Sequence, residues 1–124
     1  MNQAHRELVV RYYQSLNRRD WDALRDTLAE DVLYEVPQTR ERVRGREPYV
    51  EFNATFPGEW TIEVVRVVAD AEGAAGQVLF WDGDRAMTGI AFFEFAGGRI
   101  ARVTDFWPEP YEPPLRASRF VERY

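Results

Sequence analysis

The sequence contains no cysteine and no lysine; its 16 Lys/Arg positions are all arginine, and His5 is its single histidine. Without cysteine there is no thiolate nucleophile, disulfide or zinc–thiolate site. Without lysine there is no Schiff base to a side-chain amine. A lone imidazole excludes a histidine-based metal cluster. Ser15 and Ser118 are the only serines, neither in a nucleophile-elbow pattern, and no glycine-rich phosphate loop precedes a lysine. No apolar run is long enough to span a membrane and no signal-peptide pattern opens the chain, so a cytoplasmic protein is expected. Carboxylates and tyrosines are the acid–base groups that remain. Neither a metal nor an organic cofactor is expected, because no residue set suits one.

What is present describes a folded domain. At 124 residues, 45% hydrophobic and 15% aromatic, the chain suits one domain over 1–124 with a sizeable core. The net charge of -5 argues against a general nucleic-acid binder. Arg40, Arg42, Arg44 and Arg46 form a local basic run, but Glu41 and Glu47 offset it, so it reads as a solvated loop.

Residues 3–17 place Leu8, Val9, Tyr12, Tyr13 and Leu16 on one helical stripe, with His5 solvated before it. Asp20 is a candidate N-cap for a second helix carrying Trp21, Leu24 and Leu28. Asp31 reads as a turn acceptor, and alternation at Val32, Tyr34 and Val36 predicts a strand ended by Pro37, with Glu35 on its outer face. The polar segment from Gln38 to Gly45 is a loop or a short hairpin strand. A third helix follows Gly45, with Pro48 in its first turn and Tyr49, Phe52 and Phe56 inward. From Trp60 the period becomes two, predicting strands at 60–69, 75–81, 86–95 and 99–107. The short turns between them imply an antiparallel meander. The tail holds four prolines between Pro108 and Pro114 and is expected to lie as an extended strap over the domain, with a short helix possible at 115–123. Helices first and a meander last give an α+β fold, a cone-shaped curved mixed or antiparallel sheet wrapped around three helices.

The last predicted strand carries the most information. Strand parity places Asp105 with Ala101, Val103 and Trp107 on a face that otherwise reads as core. A carboxylate there is costly unless it is bonded or neutral, so it is either a structural acceptor or a base with a raised pKa. A three-residue loop at Ala96-Gly97-Gly98 would set Phe95, Phe93, Ala91 and Gly89 opposite Arg99, Ala101, Val103 and Asp105. Small residues would then surround the carboxylate and leave room for a ligand.

The runs Arg11-Tyr-Tyr-Gln-Ser-Leu-Asn-Arg-Arg-Asp-Trp21, Leu28-Ala-Glu-Asp-Val32, Gly45-Arg-Glu47 and Gly98-Arg-Ile-Ala-Arg-Val-Thr-Asp-Phe-Trp107 resemble the nuclear transport factor 2-like superfamily, in its SnoaL-like, polyketide cyclase-related branch. The resemblance reaches to about Trp107. It implies a cone fold that hosts isomerases, cyclases, epoxide hydrolases and non-catalytic binders, so it speaks to fold more than to chemistry. Tyr12 falls where ketosteroid isomerases carry an oxyanion-donating tyrosine. The places of their general base and second donor are taken by Val36 and Ala91. Asp105 matches a last-strand aspartate of limonene epoxide hydrolases, whose arginine and second aspartate have no counterpart in Gln77-Val-Leu-Phe-Trp81. It is also the one good counterpart of the cavity aspartate on which cyclases of the branch rely.

These readings give Asp105 and Tyr12 as candidate catalytic residues. Tyr34, Val36, Phe52, Trp81, Gly89, Ala91, Val103 and Trp107 are the candidate ligand-binding residues, with Trp60 a further cavity aromatic. The expected partner is a small, largely apolar molecule, and the expected chemistry is cofactor-free proton transfer. The alternative is a non-catalytic binding or scaffold protein in which Asp105 is structural. Parity places Val65, Val67, Phe80, Ile90, Phe92, Ile100 and Phe106 on the other sheet face. Such an apolar face favours a homodimer through the sheet, as the resemblance also implies.

Overall fold

The computed structural model describes residues 3–124. The chain runs α1 (Gln3–Arg18), α2 (Trp21–Thr27), β1 (Leu28–Val36), β2 (Glu41–Arg44), α3 (Arg46–Ala54), β3 (Trp60–Ala69), β4 (Ala74–Asp82), β5 (Arg85–Ala96) and β6 (Arg99–Phe106). The strands form a single six-stranded sheet in the order β2-β1-β6-β5-β4-β3. Every pairing is antiparallel except β1 with β6, which is parallel. The sheet is therefore mixed and open, and it curls around the three helices as an α+β cone.

Local chemistry sets the helix boundaries. Asp20 caps α2, its Oδ1 accepting from the Ala23 N–H at 3.1 Å. Gly45 precedes α3 at φ 95°, a left-handed conformation that glycine adopts without strain. The α1 stripe buries Leu8, Val9, Tyr12, Tyr13 and Leu16 against the sheet. At the narrow end of the cone Val9, Leu24, Leu28, Val32, Ile100 and Val103 are fully buried. Each such side chain contributes roughly 1.5–3 kcal/mol relative to exposure.

Backbone groups of the edge strand β3 are closed off by side chains from the end of α1. Asn17 brackets Ile62, accepting from its N–H at 2.6 Å and donating to its carbonyl at 2.5 Å. Arg19 donates to the Trp60 carbonyl at 2.6 Å, and its guanidinium stacks on the Trp60 ring. These bonds give the edge the partners that a missing neighbour strand would supply.

Several expectations are corrected. Leu28 opens β1 rather than closing α2, and Asp31 lies exposed within that strand instead of in a turn. His5 is not free in solvent: it stacks on Phe95 at 4.0 Å, and its Nδ1 lies 2.8 Å from the Asp70 carbonyl. Beyond Phe106 the tail has no helix, and Leu115, Phe120 and Tyr124 are exposed. Of the residues beyond Phe106, Trp107 and Glu109 reach the cavity described below, and most of the others are exposed.

Parity also fails in places, for a physical reason. Irregularities at Val64/Arg66 and at Glu94/Phe95 shift the ladder, and a bulge turns every later side chain to the opposite face. Val67 and Ile100 therefore point inward and are buried. The two-residue turn Gly97-Gly98, both at positive φ, combines with the extra residue to pair Phe95 with Ile100, Phe93 with Val103 and Ala91 with Asp105. Ala91, not Gly89, is thus the neighbour of the carboxylate. In β4 the run Val78-Leu-Phe-Trp81 is apolar on both faces, so it carries no parity signal. Phe80 faces inward, while Trp81 lies on the outer face with its indole 3.3 Å from Glu63 Oε1.

Candidate functional site

The wide end of the cone holds a cavity of about 280 Å³. Residue types explain why space remains there. Ala91 and Gly89 give β5 almost no side-chain bulk, and the long aromatic rings stand around the gap rather than in it. A Cβ on Gly89 would come within 2.5 Å of the Trp107 ring, so the glycine makes the recess in which that indole lies. Gly76 does the same for Tyr13, whose ring would meet a Cβ there at 2.9 Å.

Asp105 lies on the cavity wall and is 8% exposed. Tyr34 from β1 donates to its Oδ2 at 2.6 Å, and the Trp107 indole donates to the same oxygen at 3.0 Å. Among the described residues no side chain bonds Oδ1, and no cation pairs with the carboxylate. Burial pushes the Asp105 pKa up to about 6, against the opposing pull of the Tyr34, Trp107 and Phe106 backbone donors. The carboxyl therefore titrates above the ordinary aspartate range, on the wall of the cavity.

A second polar feature faces the same space. The hydroxyls of Tyr12 and Tyr49 lie 2.5 Å apart, and burial raises both phenols, so both stay protonated. In such a pair one O–H is spent on the other oxygen, which leaves one proton to donate elsewhere. Tyr34 stacks against Tyr49 at 4.7 Å, and burial keeps it a phenol as well. Tyr34, and not Tyr12, is thus the phenol that bonds Asp105.

The other candidates divide. Val36, Phe52 and Ala91 line the cavity, as do Trp60 and Trp107. Trp81 does not, because it faces outward. Val103 is fully buried in the core between Tyr34 and Phe93 and lines nothing. Gly89 acts through Trp107 and is not itself part of the wall. Sequence reasoning missed Tyr49, read only as an apolar helix position; a phenol one turn before Phe52 was the available signal. It also missed Glu41 and Glu109 at the rim. Among the described residues no three His, Cys, Asp or Glu side chains gather as a metal set.

Residues 9–103 match the SnoaL-like domain model. The chain belongs to the SnoaL-like domain family. This SnoaL-like domain is similar to a candidate ketosteroid isomerase from Kribbella flavida DSM 17836, with 45% identity, a TM-score of 0.95, and coverage of 99% of this chain and 91% of that one. A candidate polyketide cyclase from Xanthomonas campestris pv. campestris shares 30% identity at a TM-score of 0.69, covering 86% and 91%. An LEH-like epoxide hydrolase from M. tuberculosis, at 19% identity, TM-score 0.72 and coverage of 86% and 84%, shares the fold. No curated protein matches the sequence. Among the described residues no helix is long and apolar enough to cross a membrane.

Proposed function

We propose that this SnoaL-like domain binds a small, largely apolar carbonyl compound in the cavity and moves a proton α to the carbonyl, with Asp105 as general base. The observation that carries the reading is the half-free carboxylate: buried, unpaired by arginine, with Oδ1 left for a ligand. Oδ1 takes the α proton, the C–H electron pair forms the C=C bond of the enolate as the C=O π pair moves onto oxygen, and the free O–H of the Tyr12–Tyr49 pair donates to that oxygen. Return of the proton to another carbon completes an isomerisation; attack of the enolate on a second carbonyl completes an aldol-type cyclisation. Similarity to the candidate isomerase and the candidate cyclase supports this class of chemistry. Hydrogen–deuterium exchange of cyclic ketones and β-diketones, followed by NMR, tests it. Asp105→Asn should lose about 10²–10⁴-fold in exchange rate while keeping its circular dichroism spectrum. Undiminished exchange in that variant would sink the base role.

One observation favours a second reading, a non-catalytic binder. The Tyr34–Asp105 bond ties β1 to β6 across the parallel pairing, which is a structural task. Under that reading Asp105→Asn alters stability and ligands are bound unchanged.

The outer sheet face supports a homodimer. Val65 is 47% exposed, Val68 55% and Phe92 52%, with Phe106 packed edge-on against Phe92. A glutamate in place of Phe92 should convert a dimer into a monomer in size-exclusion chromatography with light scattering; a wild-type monomer would end this proposal.

A further inference from the structure

We infer that the cavity selects for cationic ligands, namely compact aromatic or alicyclic molecules bearing a protonated amine, seated on the Asp105 carboxylate, and that it turns anions away. The inference rests on the proposed reading only in taking this cavity as the ligand site; it does not depend on proton transfer.

The charge inventory is one-sided. Asp105 stands on the wall and Glu41 and Glu109 stand at the rim, and among the described residues no arginine or histidine lines this cavity. Arg19 stacks on the Trp60 ring, 3.7 Å from its centroid, and is not part of the lining. Arg42 borders the adjoining recess, which shares Tyr34, Val36, Glu41 and Phe52 with the cavity, but its charge is engaged by Glu35. The ionised Asp105 is thus a buried negative charge met only by neutral donors, the Tyr34 and Trp107 side chains on Oδ2 and the Phe106 backbone, with no counter-ion among the described residues. Such a charge gains most from a partner that brings both a positive charge and N–H donors. A neutral alcohol leaves the charge uncompensated, and a carboxylate or phosphate places a like charge beside it among largely apolar walls.

The surrounding surface suits the same class. Tyr34, Phe52, Phe80 and Trp107 present aromatic rings to the space that holds the carboxylate. Ring faces attract an ammonium, the more so where it is desolvated. A carboxylate among aromatic rings therefore offers an amine two attractions that it offers to neither an alcohol nor an acid.

The attraction requires ionised Asp105, and the groups facing it do not mask its titration. Tyr34 from β1, Tyr12 and Tyr13 from α1 and Tyr49 from α3 are all phenols held protonated by burial. Val78 of β4 and Ala91 of β5 bring no charge. The two rim glutamates add to the negative field.

Calorimetric binding of three matched probes tests the inference: 2-naphthylmethylamine, 2-naphthalenemethanol and 2-naphthoate, on the full chain at pH 8. The amine should bind about tenfold or more tightly than the alcohol, and the naphthoate about tenfold or more weakly. Asp105→Asn should remove the amine's advantage, bringing amine and alcohol, both measured on that variant, to within about threefold of each other. Wild-type protein at pH 5 supplies the same test without a substitution, since the amine's advantage should shrink as Asp105 takes up its proton. An amine that binds no better than the alcohol overturns the inference while leaving the cavity as a ligand site. So does an advantage that survives both Asp105→Asn and pH 5. Failure of all three probes to bind overturns the cavity's role as a ligand site and this inference with it.

Discussion

The two ends of β6 point side chains to the same interior, yet they do opposite things. At the start, Ile100 and Val103 are fully buried among Leu28, Val32 and Phe93. At the end, Asp105 and Trp107 border an open cavity of about 280 Å³. The difference lies in what the helices set against each half. Close-packed aliphatic side chains of α1 and α2 fill the narrow end. The wide end receives long tyrosines and phenylalanines that meet the sheet at their tips and leave space between them. Packing at one end makes the fold; incomplete packing at the other leaves a cavity.

The largest expected effect would break the packed end. Phe93 is 2% exposed and meets Tyr12 and Tyr13 edge-on. Phe93→Ala should cost about 3–5 kcal/mol in urea unfolding, because the rigid surroundings cannot collapse into the void. Phe56, which lines the cavity and is 44% exposed, should lose far less on the same truncation. Equal losses would erase the distinction between the two ends.

At the open end the next effect is electrostatic and has the opposite sign. Folding raises the Asp105 pKa from 3.8 to about 6, so the folded state binds this proton more tightly than the unfolded chain. Stability from this group is therefore complete below about pH 4 and falls as pH rises through about 6. The cost of the buried charge at pH 8 is on the order of 3 kcal/mol. Asp105→Asn should raise stability at pH 8 by up to that amount and remove the slope between pH 4 and 6. Thermal melts across that range check both, and a variant less stable at pH 8 would show the carboxylate to be a net structural asset.

A smaller effect joins the two ends. In Gly89→Ala the new methyl group would sit 2.5 Å from the Trp107 ring, which must shift and take its N–H away from Asp105. Roughly 1–3 kcal/mol of stability should be lost. The Asp105 pKa should also rise further, because a donor to the charged form has gone. Carbon-13 NMR of the carboxyl group reads the second change directly; an unmoved titration would mean that the indole does not tune the carboxyl.

Much of this was legible before the fold was known. Asp20, Gly45 and Pro48 announced helix starts through local capping chemistry, and period-two alternation located the last four strands within a residue or so. Asp105 stood out because a carboxylate beside Val103 and Trp107 breaks an apolar face. Where local patterns conflicted, reading failed. Trp81 and Phe80 exchanged faces because their strand is apolar on both sides, and Val67 and Ile100 turned inward behind bulges with no distinct sequence mark. Tyr49 was hidden because a phenol on a helix's apolar stripe looks the same whether its hydroxyl meets Tyr12 or solvent.

The sequence by itself determined the α+β order of elements, the chemistry excluded by missing cysteine and lysine, and the anomaly of one carboxylate on a core face. Those properties depend on composition and on contacts a few residues apart. Only the tertiary structure decided that Tyr34, 71 residues away, is the donor to Asp105. It also decided that Tyr12 pairs with Tyr49 and that the space beside the carboxylate stays open. Those outcomes depend on the parallel pairing of β1 with β6, on the bulges that shift register, and on the fit of helices against a curved sheet. All three are set by long-range packing, which no local pattern encodes.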